Sequence, residues 1–178
     1  YTSDNTLFGL SVCSDEVNFA DKELVNLMKT RWGESFSLGG LAGVPFAGKA
    51  GFGAYAHHVP DQGRLFVLFA PHVGVGIDGS VGKLERAGMS KPSTACGAVV
   101  GAYKTLADSA PEPPGLDFEN WQFEYIKYKM APMLDGISDA PDAIAFVTYQ
   151  MYTVVRDVMM EIIKGSDIWK DCTEIALL

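Results

Sequence analysis

Three side chains with the chemistry of soft metal ligands lie at the ends of predicted elements: Cys13, His72 and Cys96. Cys13 follows the apolar strand of residues 7–12, and His72 closes the strongest predicted strand, residues 64–73. Cys96 lies in or near the first turn of a helix predicted over residues 91–108, capped by Ser93 or Thr94. Two thiolates and one imidazole suit Zn²⁺ and leave a fourth position for water. The residues therefore predict a zinc site of the catalytic kind.

Each of these ligands also has a simpler interpretation. Cysteine is among the most buried residue types, so Cys13 and Cys96 could each be plain core residues. His72 could be a buried histidine with satisfied hydrogen bonds, and His57 and His58 compete with it as ligands because they also follow a predicted strand. The sequence pattern alone leaves these alternatives open.

The elements that must position the ligands alternate between strands and helices. Strands are predicted over 7–12, 51–58 and 64–73, and helices over 21–31, 91–108, 116–133 and 139–165. This order predicts an α/β fold with a mainly parallel central sheet flanked by helices, in one domain spanning 1–178. The short turn "PDQG" joins two strands too closely for a parallel crossover, so we expect a mixed sheet. "IDGSV" predicts a hairpin with a type I′ turn at Asp78 and Gly79.

Charge and composition exclude several classes of function. The 178 residues carry a formal net charge of −8, which argues against binding the phosphate backbone of a nucleic acid. The apolar stretches are too short for membrane insertion. Three widely spaced cysteines fit reduced thiols or metal ligands better than disulfides. Because the chain starts at Tyr1 without an initiator Met, we expect a processed piece that lacks its targeting segment.

Several short motifs resemble those of a known family. "CSDE" resembles the Cys-x-Asp-x-Arg motif of β-type carbonic anhydrases, "LFVLFAPHVG" resembles their buried strand, and "TACGA" resembles the start of their Cys-Gly-Gly helix. The combination of "HHVPDQG", "PHVG", "DGSVGK" and "TACGA" resembles more closely the limiting-CO2-inducible protein B/C family, a divergent group of β-type carbonic anhydrases. Two features depart from the common β-type pattern: Val17 occupies the position of the motif's Arg, and 23 residues separate His72 from Cys96.

The resemblance implies an activity and a set of roles. It implies zinc-dependent reversible hydration of CO2 to bicarbonate by a metal-bound hydroxide, with Cys13, His72 and Cys96 as ligands. Asp15 would orient the reacting oxygen, and Arg31, the nearest substitute for the missing Arg, would keep Asp15 ionised and away from the metal. The candidates for a CO2 pocket are Phe36, Leu38, Gly39, Gly40 and Phe46. The candidates for proton transfer are His57 and His58.

Alternatives to these roles remain at this stage. Asp15 could be a cap or turn residue, Phe36 and Phe46 could be core residues, and Cys172 is most simply a half-buried thiol. The resemblance also implies a homodimer in a plastid or another intracellular compartment of a photosynthetic eukaryote. A catalytically silent, zinc-bearing binding or scaffold subunit of a CO2-concentrating pathway is the main alternative to an enzyme, and an unrelated zinc hydrolase is a third hypothesis.

Overall fold

A computed structural model describes residues 1–108, 110, 112, 113, 115 and 118–178. Its strands are β1 (Thr6–Val12), β2 (Phe36–Ser37), β3 (Arg64–Ala70), β4 (Lys83–Leu84), β5 (Ser93–Thr94) and β6 (Glu174–Leu177). Its α-helices are α1 (Leu24–Trp32), α2 (Gly48–His57), α3 (Gly97–Asp108), α4 (Trp121–Met130) and α5 (Ala143–Lys164). None of the helices in these ranges combines the length and the apolar character that a membrane span requires.

The chain divides into two compact units, the first comprising residues 1–70 and 155–178. Its sheet has the order β2-β1-β3-β6, and every pairing in it is parallel. β1 and β3 pair along their whole length, from Thr6 opposite Arg64 to Val12 opposite Ala70. The structure therefore confirms the α/β class and the mainly parallel central sheet flanked by helices.

The two faces of this sheet are covered by different helices. On one face, alternate residues of β1 and β3 pack with α1, and the buried members of that cluster are Phe8, Leu10, Val25 and Leu68. On the other face, the α2 residue Tyr55 donates hydrogen bonds from its hydroxyl to the carbonyls of Leu7 and Phe66, at 2.8 and 3.1 Å. A Cβ at Gly9 would lie 2.7 Å from the Tyr55 ring, so this ring requires glycine beneath it.

The second unit comprises residues 71–154. It contains the antiparallel pair β4–β5, in which Lys83 lies opposite Thr94, and it contains α3 packed on α4. Gly101 of α3 faces the Phe123 ring of α4, and a Cβ there would make an ordinary contact with the ring at 3.6 Å.

The largest error in the sequence-based fold concerns residues 51–58. The prediction of a strand there is wrong, because residues 48–57 form α2. Phe52, Tyr55 and Ala56 are buried at helical spacing, and the "PDQG" turn joins a helix to β3 rather than one strand to another. The mixed character that we inferred from that turn is wrong as well, because the described central sheet is parallel throughout and the antiparallel pair β4–β5 forms a separate sheet.

Two turns also differ from prediction. Ser93 and Thr94 belong to β5 and do not cap α3, which begins at Gly97. The chain reverses near Asp78 as expected, with a bridge between Val75 and Val81. Of the two central residues, however, only Gly79 has a positive φ, at +82°, so the turn is not type I′.

The other predicted helices are present with shorter bounds. The helices predicted over 21–31 and 139–165 correspond to α1 and α5. The one predicted over 116–133 corresponds to α4 followed by a 3-10 turn at Ala131–Met133. Its first two predicted residues, Leu116 and Asp117, lie outside the described residues, as do Ser109, Pro111 and Pro114.

Candidate metal centre

Cys13 lies directly after β1, at the carboxyl end of the parallel sheet, where open α/β folds place their ligands. The residue is 3% exposed. Its sulfur accepts a hydrogen bond from the Ala42 N–H at 3.3 Å, and its carbonyl accepts one from the Asn18 side-chain amide at 3.0 Å. Backbone and side chain of Cys13 are therefore both held by neighbours in the first unit.

The segment of residues 38–47 runs beside the end of β1. Its Leu38 N–H donates to the Leu10 carbonyl at 2.8 Å, and Leu38 is 1% exposed. A Cβ at Gly39 would lie 2.8 Å from the Val12 carbonyl oxygen, so only glycine permits this approach. Gly40 follows, and it precedes a 3-10 turn over Leu41–Gly43. Leu38, Gly39 and Gly40 thus lie in a segment beside the end of β1, the strand that precedes Cys13.

His72 and Cys96 belong to the second unit. His72 comes two residues after the last residue of β3, and its Nε2 atom is buried. Cys96 is 1% exposed, and its carbonyl accepts the Val100 N–H at 3.1 Å, which places it at the start of α3. The position of Cys96 near the first turn of a helix agrees with the sequence prediction.

A triangle of backbone hydrogen bonds fixes the chain just before Cys96. The Gly74 N–H donates to the Ala95 carbonyl at 2.9 Å. The Ala95 N–H donates to the Gly82 carbonyl at 3.2 Å, and the Gly82 N–H donates to the Gly74 carbonyl at 2.9 Å. A Cβ at Gly74 would lie 2.6 Å from the Lys83 carbonyl oxygen, so the chain passes here only because residue 74 is glycine. The backbone that follows His72 is therefore tied to the residue that precedes Cys96.

The structure brings together one ligand atom each from Cys13, His72 and Cys96, all within 4.8 Å of one another. Zn–S bonds of about 2.3 Å and Zn–N bonds of about 2.0 Å place tetrahedral ligand atoms roughly 3.5–3.8 Å apart. The 4.8 Å limit on the observed distances between ligand atoms admits that spacing. The donor set of two thiols and one imidazole suits zinc. This group could hold a metal ion.

Asp15 lies two residues beyond Cys13 and is half-buried. It caps a short 3-10 helix over Glu16–Phe19, where its side chain accepts the Val17 N–H at 3.4 Å. Arg31 is exposed in the last turn of α1, with its guanidinium 5.2 Å from the centre of the Trp32 ring.

His57 and His58 lie away from Cys13. His57 Nδ1 lies 3.1 Å from Asp171 Oδ2, in the loop before β6, where Glu174 pairs with Arg64 at the start of β3. This is the amino end of the sheet, about 20 Å from the carboxyl end for strands of this length. The exposed His58 ring lies 5.9 Å from the Phe36 ring. Among the described residues, the group that could hold a metal contains neither of these two histidines.

The two phenylalanines of the predicted pocket have different surroundings. Phe36, in β2, packs its ring 5.5 Å from that of Tyr55, on the α2 side of the sheet. Phe46 is half-buried, and its N–H donates to the Val44 carbonyl at 2.8 Å. A cavity of about 320 Å³ does open at the end of β1, and Gly39 is the one predicted pocket residue in its lining of Leu10, Val12, Ser14, Phe19, Lys29, Ser35, Ser37 and Gly39.

Sequence reasoning missed Arg86, a residue of the second unit that is hydrogen-bonded to the short strand just before Cys96. Its Nη1 donates to the Thr94 carbonyl at 3.2 Å and to the Ser93 hydroxyl. The Ser93 hydroxyl in turn donates to the Leu84 carbonyl at 3.1 Å. A guanidinium is therefore fixed two residues from a candidate ligand. The available signal was an isolated Arg within a turn-rich segment, which does not distinguish it from a surface residue.

The structure combines a parallel α/β sheet with a Cys-His-Cys group that could hold a metal ion. The family model of the limiting CO2-inducible proteins B/C, beta carbonic anhydrases, matches residues 1–178. The chain belongs to this family, as its motifs suggested.

Solved structures of the same family share the fold. The crystal structure of PtLCIB4, a homologue of the limiting CO2-inducible protein LCIB, is 33% identical with a TM-score of 0.82, over 92% of this chain and 66% of that one. A single-substitution variant of PtLCIB4 gives 29% identity and a TM-score of 0.85, over 99% of this chain and 75% of that one. LCIB itself, at 21% identity and a TM-score of 0.68 over 92% of this chain and 66% of that one, shares the fold. No curated protein sequence matches the chain.

Proposed function

We propose that this protein is a zinc-dependent carbonic anhydrase that interconverts CO2 and bicarbonate. The observation that carries the proposal is the convergence of the Cys13, His72 and Cys96 ligand atoms within 4.8 Å. Membership of the β carbonic anhydrase family supports the choice of reaction and of metal. Three protein ligands leave one tetrahedral position for the reacting oxygen.

The residues of the chain would divide the work among them. Cys13, His72 and Cys96 would hold the ion. When bound, Zn²⁺ supplies the Lewis acidity that makes water acidic near neutral pH. Asp15, two residues from Cys13, would accept a hydrogen bond from the reacting oxygen and orient it. Leu38, a buried residue beside the end of β1, would help to exclude bulk water.

The cation beside the site is better supplied by Arg86 than by Arg31. Arg86 is fixed by hydrogen bonds to Ser93 and Thr94, two residues from Cys96, whereas Arg31 lies exposed over Trp32. A guanidinium in this place would favour the ionised form of a nearby carboxylate. We therefore assign to Arg86 the role that the resemblance gave to Arg31.

A catalytically silent, metal-bearing subunit is the second candidate. The observation that favours it is Val17, an apolar residue where the β-type motif has Arg. If no guanidinium acted on Asp15 in this protein, its carboxylate would take the fourth ligand position itself. The protein would then keep its metal and bind partners without turning over CO2.

Stopped-flow CO2 hydration, measured together with zinc content, tests both candidates. We expect a rate above the uncatalysed background from protein with one zinc per chain, and no such rate from the Cys96→Ser variant. Stoichiometric zinc without a rate would establish the silent subunit. Absence of zinc after reconstitution would contradict both.

We also propose that the protein forms a homodimer. Its exposed large apolar side chains include Tyr149 and Trp169, at 67% and 60% exposure. Aromatic residues of this kind are enriched in protein interfaces. Sedimentation velocity should show a species of twice the mass of the chain, and a stable monomer at micromolar concentration would contradict the proposal.

A further inference from the structure

We propose that Ser11 and the turn Leu41–Gly43 are positioning elements that hold the Cys13 sulfur in the orientation needed to bind the metal. This inference rests on the proposed function, because it assumes that Cys13 is a ligand. All of its contacts lie within the first unit, so they describe how one unit presents one ligand.

The first contact is the hydrogen bond from the Ala42 N–H to Cys13 Sγ, at 3.3 Å. Ala42 is 0% exposed and has φ and ψ of 55° and 14°, a left-handed conformation that is unusual for a residue with a Cβ. This conformation costs about 1 kcal/mol or more, so the surrounding structure must impose it. Its result is that the amide at residue 42 points toward the sulfur.

The second contact fastens the turn to the strand that carries the ligand. The Ser11 hydroxyl donates to the Gly43 carbonyl at 2.9 Å, and Ser11 is 0% exposed. Ser11 precedes Cys13 by two residues, so both side chains project from the same side of the extended chain. Ser11 therefore fastens the turn to the strand, and the next side chain on the same side, Cys13, accepts a hydrogen bond from that turn.

The third contact presses the turn against the neighbouring strand. Gly43 has a φ of +79°, and a Cβ on it would lie 2.2 Å from the Ala70 carbonyl oxygen at the end of β3. The approach of Gly39 to Val12 holds the other side of the segment. The turn is thus clamped between the ends of β1 and β3 and has little freedom to move away from Cys13.

Fixing a ligand from its outer shell strengthens metal binding. Removing such an outer-shell partner costs about 10- to 100-fold in metal affinity in characterised zinc sites. Ser11 does not touch the metal in this arrangement, and its effect passes through Gly43 and the Ala42 amide to the sulfur.

The test compares two buried hydroxyls on the same strand. Ser11→Ala removes the bond to Gly43, while the control Thr6→Val removes a buried hydroxyl at the other end of β1, where Thr6 bonds to Asn5. Zinc affinity is measured by chelator competition on the metal-free chain, beside the free energy of unfolding of the same sample. We expect Ser11→Ala to bind zinc about tenfold or more weakly, and Thr6→Val to bind it like the original chain.

A second pair of variants keeps the test decisive if the effect of Ser11→Ala is small. Gly43→Ala places a Cβ against Ala70, whereas Gly33→Ala places one at a similar φ of +83° with no atom within 4 Å. Both variants place a Cβ on a residue with a positive φ, but only at Gly43 does that Cβ meet the neighbouring strand and displace the turn. We expect the thiolate-to-metal absorption of the Co²⁺-substituted protein to shift in Gly43→Ala alone.

The outcomes separate this inference from the proposed function. If the original chain binds zinc and folded Ser11→Ala and Gly43→Ala bind it equally well, the positioning role is refuted and the metal site stands. If the original chain itself retains no zinc, the proposed function fails, and the positioning role fails with it.

Discussion

The two ends of the parallel sheet carry polar side chains in different ways. At the carboxyl end, Ser11 and Cys13 are 0% and 3% exposed, and both have backbone partners fixed by the fold. At the amino end, His57 pairs with Asp171 while the His57 side chain remains 71% exposed. The comparison teaches that residue type does not identify a site. Burial together with rigid backbone partners distinguishes the end that could hold a metal from the end that carries surface ion pairs.

The largest expected effect separates two buried cysteines. Cys96→Ser removes one of the three converging ligands and should abolish zinc retention after gel filtration. Cys172→Ser changes a cysteine that is equally buried, at 4% exposure, but belongs to no ligand group among the described residues, and it should retain one zinc per chain. Elemental analysis of both proteins provides the measurement. Equal zinc contents would show that Cys96 is a buried thiol like Cys172 and not a metal ligand.

A second experiment applies the comparison to the histidines. His72→Ala should lose zinc affinity by about a hundredfold or more, since it removes a direct ligand and outer-shell losses alone reach about 100-fold. His57→Ala should leave affinity unchanged, because His57 lies at the amino end beside Asp171. Chelator competition measures both. Weakened binding in His57→Ala would break the distinction between the two ends.

The arginines give a smaller effect, on turnover. Arg86→Gln should lower the CO2 hydration rate about tenfold or more, the scale of outer-shell losses at metal sites. Arg31→Gln should leave the rate within about twofold, because an exposed charge far from the reacting atoms acts only through a screened field. Stopped-flow assays at matched zinc content make the comparison. The reverse order of effects would return the role to Arg31.

The smallest expected effect is on stability, and it involves Tyr55, which packs on the sheet between its two ends. Burial raises the pKa of the Tyr55 hydroxyl well above its usual value. The folded protein therefore keeps Tyr55 protonated at alkaline pH. Stability from this group is fully present below about pH 10, the unfolded value, and falls as pH rises above it, when tyrosine in the unfolded chain ionises.

Tyr55→Phe checks this pH dependence. It should cost about 1–3 kcal/mol at pH 8, because it leaves the Leu7 and Phe66 carbonyls without their hydroxyl partner. Its unfolding free energy should also fall less steeply than that of the original chain above about pH 10. Urea denaturation at pH 8 and above pH 10 measures both differences, and parallel pH profiles for the two proteins would show that Tyr55 is not the group responsible.

The predictable part of the fold was the part with strong apolar patterns. Residues 7–12 and 64–70 are nearly continuous apolar runs, and both form strands that pair along their whole length. Residues 51–58 contain two glycines and alternate small and large side chains, a pattern that favours a strand. There the burial of Phe52, Tyr55 and Ala56 against the sheet outweighs the low helix propensity of glycine. Tertiary packing decided that segment, and a single sequence does not reveal it.

The candidate ligand group could be predicted from the sequence because each member lies at the beginning or the end of a predicted element. The contacts around it were not, because they depend on backbone groups. The amide of Ala42 reaches Cys13 from 29 residues away, and it does so through a left-handed conformation that alanine rarely adopts and that its residue type does not predict. Arg86 was missed for a similar reason, since its partner Thr94 is recognised only once β4 and β5 pair.

The hydrogen-bonded triangle of Gly74, Gly82 and Ala95 has a consequence for changes in chain length. Because these three residues close the base of the excursion over residues 75–94, which separates His72 from Cys96, we expect residues inserted at its exposed turn near Ile77 to leave the path that leads into α3 unchanged. β1 has no comparable tolerance. Deleting a single residue from it would turn the thiol to the opposite face of the sheet. Insertions should therefore be tolerated at that turn, and deletions should be rejected in the strand.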